Sequence, residues 1–352
     1  MLKLLMSCSL ILAAGCGGSA TNQNATGPTP TPTPGNTPSK VALTDMGAGT
    51  YLGFSGGLYP GASNSMPAAH HSAGLSRANA IHPVDVNGNA DPSGKYVLLS
   101  IGMSNTTQEW CSAGATLPCS SWTLMGQAAA DSAVNHTQLA IANGAQGGKS
   151  ASFWVSPTLP DYDRVRDTVL TPQGLSEKQV QIVWLKVADP NPTVSLPNAN
   201  ANAYGLLTEE GQILRALKTR YPNLTLVFVS SRIYGGYATS TLNPEPYAYE
   251  SGFTAKWLIE AQINQIQNGT IEAHAGDLNY NTVAPWVGWG PYLWANGTTA
   301  RSDGLIWVAT DFQSDGTHPS QSGQTKVGGM LLNFFKTSPL TQCWFLAGGT
   351  CS

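Results

Sequence analysis

The chain alternates short, nearly continuous apolar runs with longer stretches of helical spacing. Tyr96-Val97-Leu98-Leu99-Ser100-Ile101 ends at Gly102, the pattern of a strand buried on both faces of a parallel sheet. Residues 138–142, 180–185 and 224–229 repeat it, and 270–274 is a candidate fifth strand. Between them, residues 121–134 carry helix formers. Residues 208–220 place apolar side chains at 213, 214 and 217 and predict an amphipathic helix ending before Pro222. Residues 250–267 are the longest helix candidate, and 319–336 set Val327, Met330, Leu331 and Phe334 on one face.

Strands alternating with helices predict an α/β fold, a three-layer α/β/α sandwich on a mostly parallel, flavodoxin-like sheet. Residues 47–95, rich in Gly, Asn, Pro and Ala, show little periodicity and are expected to form an irregular N-terminal wrap on a single domain spanning 42–352.

The first 41 residues read differently. Lys3 precedes a short apolar run, residues 4–12, too short to span a bilayer and typical of a signal-peptide core. The Ala13-Ala14-Gly15-Cys16 sequence after it resembles a bacterial lipobox, with Leu12 one place earlier than usual. That resemblance implies a lipidated Cys16 and a cell-envelope location; the alternative is an ordinary cleaved signal and free secretion. Residues 17–41, with a Thr-Pro repeat from Pro28 to Pro34, cannot bury a core and read as a semi-rigid tether.

Composition narrows the classes. Charged residues are 11% of 352, against roughly 25% in an average soluble domain, so the surface is polar but weakly charged. The net charge of −3 provides no basic footprint for nucleic acid. Cys111 and Cys119, and likewise Cys343 and Cys351, lie eight apart, and in an oxidising compartment the simplest pairing is two local disulfides. Zinc is the rival reading, without a Cys-x-x-Cys or a nearby histidine to support it.

Candidate chemistry gathers where strands end. Gly102-Met103-Ser104-Asn105 places a serine after the first strand, and Asp315-Gly316-Thr317-His318 sets a carboxylate three residues before an imidazole, ahead of the last helix. Serine becomes nucleophilic when a base takes its proton, histidine titrates in the useful range, and a carboxylate can orient it. Either segment alone is also compatible with ordinary helix capping.

Residues 102–105, 143–150 and 315–323 together resemble successive blocks of the SGNH hydrolases, the GDSL-like esterase superfamily. The resemblance implies Ser104 as nucleophile, His318 as base and Asp315 as its partner. The Asn143-Gly144-Ala145-Gln146-Gly147-Gly148-Lys149-Ser150 segment looks like the Asn-x-Ala-x-x-Gly-x-Ser run of carbohydrate acetylesterases and implies Gly148 as an oxyanion donor. It also implies hydrolysis of esters, O-acetyl groups on a polysaccharide foremost, without metal or organic cofactor. A lipase or arylesterase is the near alternative. One departure stands out: where the family's third block carries a donor asparagine, Lys186-Val187-Ala188-Asp189-Pro190 presents Ala188. Three readings stay open: the block aligns differently, another group such as Asn105 or Asn64 donates, or the enzyme is slow or inactive.

Arg232, after the fourth strand, is a candidate for an acidic sugar or polar head group, or else the partner of a structural carboxylate. Trp286, Trp289, Tyr292 and Trp294 suit either sugar stacking or loop packing; sugar stacking, with the lost asparagine, would favour a non-catalytic carbohydrate-binding protein. Tyr59 lies in the wrap with His70-His71, which read as core or solvated histidines rather than metal ligands, and Asp311 is a second acid for His318.

Overall fold

The computed structural model describes residues 40–112 and 117–352, which fall in one compact unit; the expected signal peptide, lipobox and most of the linker lie outside them. Five strands form an all-parallel sheet: β1 Tyr96–Gly102, β2 Leu139–Asn143, β3 Val180–Lys186, β4 Leu226–Val229 and β5 Trp286–Trp289, in the order β2-β1-β3-β4-β5. This is the flavodoxin-like order, and its topological switch point lies between β1 and β3.

The apolar runs alternate between two cores. Val97, Leu99, Ile101, Val183 and Val227 enter one cluster; Leu98, Ile182, Trp184, Leu226 and Phe228 enter the other. Helices α5 Asn202–Arg220 and α6 Tyr247–Asn268 pack on the first face, as does α4 Pro160–Arg164, which runs on into a π-helical stretch, Val165–Leu170. The opposite face is covered by α1 Ala68–Asn79, α2 Ser104–Trp110, α3 Leu124–Ala130, α7 Gln321–Thr337 and α8 Gln342–Phe345. On α7, Val327, Leu331 and Phe335 are the fully buried residues. Both disulfides, Cys111–Cys119 and Cys343–Cys351, are present.

Three expectations need correction. Residues 270–274 form no strand and are largely solvent-exposed, Ile271 included. The fifth strand is Trp-Val-Gly-Trp, where pairing to β4 buries Trp286 and Val287 completely. The wrap is not wholly irregular either, since α1 crosses it. Gly74 lets that helix press against β5, because a Cβ there would lie 2.8 Å from the Trp286 ring. Helix α5 also begins six residues earlier than expected, where Ala203, Leu206 and Leu207 extend its buried face.

Of the two readings of the aromatic cluster, the structure bears out loop packing. Trp286, Trp289, Tyr292 and Trp294 are all buried. Trp286 Nε1 donates to His70 O, Trp289 Nε1 to Leu58 O, and the Tyr292 hydroxyl accepts from Leu43 N. These rings fasten the wrap to the sheet edge. His70 stacks on Trp286 at 4.7 Å, with Nε2 2.9 Å from Val287 O, and burial pulls its pKa down to about 4. It is a core histidine, and Tyr59 is buried too.

Candidate active site

Ser104 sits just past β1, at the start of α2, because the chain turns sharply at Gly102. There φ is +156°, and a Cβ would lie 2.1 Å from Lys186 O and 2.5 Å from Thr106 Oγ1, so only glycine fits. Thr106 Oγ1 donates to Lys186 O at 2.6 Å, which ties the nucleophile helix to β3. Behind it, Lys186 and Glu109 form an ion pair with both side chains fully buried, Nζ at 2.6 and 2.5 Å from the two carboxylate oxygens. Burial pulls the Lys186 ammonium down to about 8 against the attraction of Glu109.

The loop after β2 is held against this turn. Asn143 Nδ2 donates to Thr107 Oγ1 at 2.5 Å, while its Oδ1 accepts from Ser100 Oγ at 2.8 Å. Gln146 N donates to Gly102 O at 3.2 Å, which brings Gly148 (φ +78°) to the same pocket as Ser104. The amides of Ser104 and Gly148 donate to no acceptor among the described residues, leaving two N–H groups free for a ligand.

Facing them is the loop before α7. Asp315 Oδ1 accepts from the amides of Thr317 (2.9 Å) and His318 (3.0 Å), and Oδ2 accepts from His318 Nδ1 at 2.5 Å. Burial alone would raise the Asp315 pKa, but these bonds outweigh it and hold the carboxyl below its ordinary value. With Nδ1 protonated toward Asp315, Nε2 is left to accept from Ser104 Oγ at 2.8 Å. Asp311 is not an alternative orienter: it accepts from Val308 N and Ser322 Oγ and pairs with Lys326.

These groups open into a pocket of about 80 Å³ at the switch point, bounded also by Ala188, Pro190, Leu242 and Asn243. Ser104, Asn105, Gly148, Arg232 and His318 all line it, and Asp315 stands directly behind His318. Asn105 Nδ2 is buried and donates one of its two N–H groups to Thr317 O at 3.0 Å, locking the serine helix to the histidine loop. Asn64 donates to Thr44 O and does not line the pocket. Arg232, expected to face a substrate or pair with a carboxylate, is 2% exposed and its guanidinium has no hydrogen bond or ion pair among the described residues.

Asn243 and Leu242 were not singled out in the sequence. They come from the loop between β4 and α6, where Asn191 N donates to Thr241 O, and Asn243 has a left-handed φ of +62°. The Asn-Pro pair at 243–244 was the available turn signal. Among the described residues no group of three His, Cys, Asp or Glu side chains could hold a metal, and no helix is long and apolar enough to cross a membrane.

No family model and no curated protein matches the chain. Solved structures do. An extracellular lipase from Streptomyces rimosus matches at 16% identity over 68% of this chain and 98% of its own, with TM-score 0.33. A Parabacteroides merdae protein described as a GDSL-like lipase matches at 12% over 68% and 94%, TM-score 0.36. A carbohydrate esterase family 2 enzyme with a carbohydrate binding domain, from Corynascus thermopiles (Myceliophthora fergusii), matches at 15% over 69% and 66%, TM-score 0.34. At such distances the reading of the site rests on its own geometry.

Proposed function

We propose that the protein is a serine esterase of the SGNH type, hydrolysing short-chain esters, with O-acetyl groups on a carbohydrate as the favoured substrate. One observation carries this: Ser104 Oγ, His318 Nε2, His318 Nδ1 and Asp315 Oδ2 form an unbroken chain of hydrogen bonds that ends at a solvent-reachable serine.

In this reading His318 Nε2 takes the Ser104 proton as Oγ bonds to the carbonyl carbon. The carbonyl π electrons move to oxygen, which meets the amides of Ser104 and Gly148. The oxyanion collapses, the bond to the alcohol oxygen breaks, and His318 returns the proton to that oxygen. Water, deprotonated by His318, then attacks the acyl-enzyme; collapse of the second oxyanion releases the acid and restores the serine. Asp315 holds the imidazole in the required tautomer throughout.

The small pocket, walled by Ala188, Pro190 and Leu242, favours a short acyl group over a fatty chain. The carbohydrate preference rests on the resemblance of residues 143–150 to acetylesterases. The burial of all four cluster aromatics removes the main support for a non-catalytic sugar-binding protein. Placement at the cell envelope through a lipidated Cys16 belongs to the same proposal, and metabolic labelling with a palmitate analogue, abolished by C16A, tests it. For the reaction, p-nitrophenyl acetate hydrolysis by the purified protein should vanish in S104A and H318A, and acetate should be released from acetylated polysaccharide. Activity that survives either substitution sinks the proposal.

A further inference from the structure

The catalytic pocket contains a buried cation whose guanidinium makes no hydrogen bond or ion pair among the described residues. Arg232 follows β4, is only 2% exposed, and lines the pocket beside Ser104, Gly148 and Ala188. Three carboxylates, Glu109 foremost, exert an attraction on it, but each is hydrogen-bonded to other groups and none to Arg232. Glu109 gives both oxygens to Lys186. Glu245 accepts from Trp294 Nε1, Gly235 N and Tyr249 N. Asp315 serves His318 and two amides. Burial pulls the guanidinium down to about 10, leaving it charged at neutral pH, and its Nε is a buried donor without an acceptor. Such a group is costly unless something negative comes to it.

On the proposed esterase reading, the negative charge that this pocket must receive is the oxyanion at the carbonyl attacked by Ser104. We propose that the Arg232 guanidinium is a side-chain donor to that oxyanion, acting beside the amides of Ser104 and Gly148. Topology supports the reach. Ala188 follows β3, the strand between β1 and β4, and its methyl leaves open the space that a longer side chain there would fill. Neighbouring strands are about 4.8 Å apart, so an arginine just past the end of β4 can extend its stem across that gap. The other amide-bearing side chains of the pocket are held in place by one bond each, Asn105 Nδ2 to Thr317 O and Asn243 Nδ2 to Asp189 O at 3.3 Å. Arg232 and Ser104 line the same pocket, so an acyl group on Ser104 and the guanidinium share that space. A cation fixed before the reaction, unmatched in the ground state and matched in the transition state, accelerates the chemical step rather than tightening substrate binding.

The test uses the purified protein, a fluorophosphonate probe and p-nitrophenyl acetate. Phosphonylation forms the Oγ–P bond at Ser104 and expels fluoride, with the serine proton passing to His318, and it presents a P=O oxygen to the same donors. R232M is expected to slow labelling and lower kcat by about 10²–10³, the usual loss for one oxyanion donor, with KM for the neutral ester little changed and the thermal midpoint not reduced. Adding A188N to R232M should restore part of the rate, since it supplies an amide from the adjacent strand; a purely structural arginine would not be rescued in this way. If R232M labels as fast as the parent while S104A does not label, the inference falls and the esterase reading stands. The inference falls equally if R232M raises only the KM of anionic esters. A parent protein that neither labels nor turns over ester loses the esterase reading and this inference together.

Discussion

Replacing Asp315 by asparagine isolates what the carboxylate does, because the substitution leaves the shape of the loop almost unchanged. Asp315 Oδ1 accepts from the amides of Thr317 and His318, and the asparagine Oδ1 can take over both bonds. The difference falls on the other atom. Oδ2 accepts the His318 Nδ1 proton at 2.5 Å, whereas an amide NH₂ in that place must donate. The imidazole then protonates at Nε2, the atom 2.8 Å from Ser104 Oγ, and can no longer accept the serine proton. In a Ser-His-Asp triad this change costs about 10⁴ in kcat, which corresponds to about 5.4 kcal/mol of activation free energy. Steady-state hydrolysis of p-nitrophenyl acetate should therefore show D315N down by about four orders of magnitude in kcat, with KM and thermal midpoint near the parent. D311N is the control. Asp311 holds Val308 N, Ser322 Oγ and Lys326, so its loss should lower stability and leave kcat intact. A D315N enzyme that keeps most of its kcat, or a D311N enzyme that loses it, would refute the assignment of the orienting acid.

Three further outcomes follow from the packing around the site. Lys186→Met leaves Glu109 buried without its partner and should cost about 3–5 kcal/mol in denaturant unfolding, less when Glu109→Leu is added; costs that simply add would show that the pair is not coupled. Glu210 lies buried on α5 with its pKa raised to about 8, first by burial and then by Asp189, against an ordinary 4.5. Between those values the folded state binds more protons than the unfolded one, so stability falls as pH rises through the window, at up to about 1.4 kcal/mol per pH unit. E210Q should flatten that slope and be more stable than the parent at pH 8, and an unchanged slope would show that Glu210 ionises without penalty. Gly102→Ala should prevent folding or nearly so, since its Cβ would meet Lys186 O at 2.1 Å, whereas Gly148→Ala, with open space around it, should cost only the roughly 1–2 kcal/mol of a left-handed backbone. Comparable unfolding free energies for the two would contradict the turn geometry.

How much of the molecule is legible in its sequence depends on how local each feature is. Strands β1 and β3 and helices α6 and α7 announce themselves because a fully buried strand needs a continuous apolar run and a surface helix an apolar stripe. The step from Asp315 to His318 is equally local, three residues closed by a side-chain hydrogen bond, whereas the glycine before Ser104 is required by the approach of the remote Lys186 carbonyl. The two disulfides span eight residues each, short enough to read from spacing. The chain alone therefore determined the α/β class and singled out Ser104, His318 and Asp315, which the fold brings together.

The tertiary structure decided whatever depends on a partner far along the chain. Trp-Val-Gly-Trp is a strand only because β4 lies beside it, and its glycine and tryptophans read equally well as a loop. Helix α1 has a weak stripe of its own and is held by its packing against β5 and α8, both remote in sequence. Whether four aromatic rings meet a sugar or anchor a wrap turns on burial, which no spacing encodes. The same holds for Arg232. Its place after a strand was visible, but its isolation was not, because that requires knowing that Glu109, Glu245 and Asp315 have each been claimed by another group. Sequence names the charges; only the folded chain shows which of them is left without a direct partner, since electrostatic pairing is settled by distance in space and by the loss of water around it.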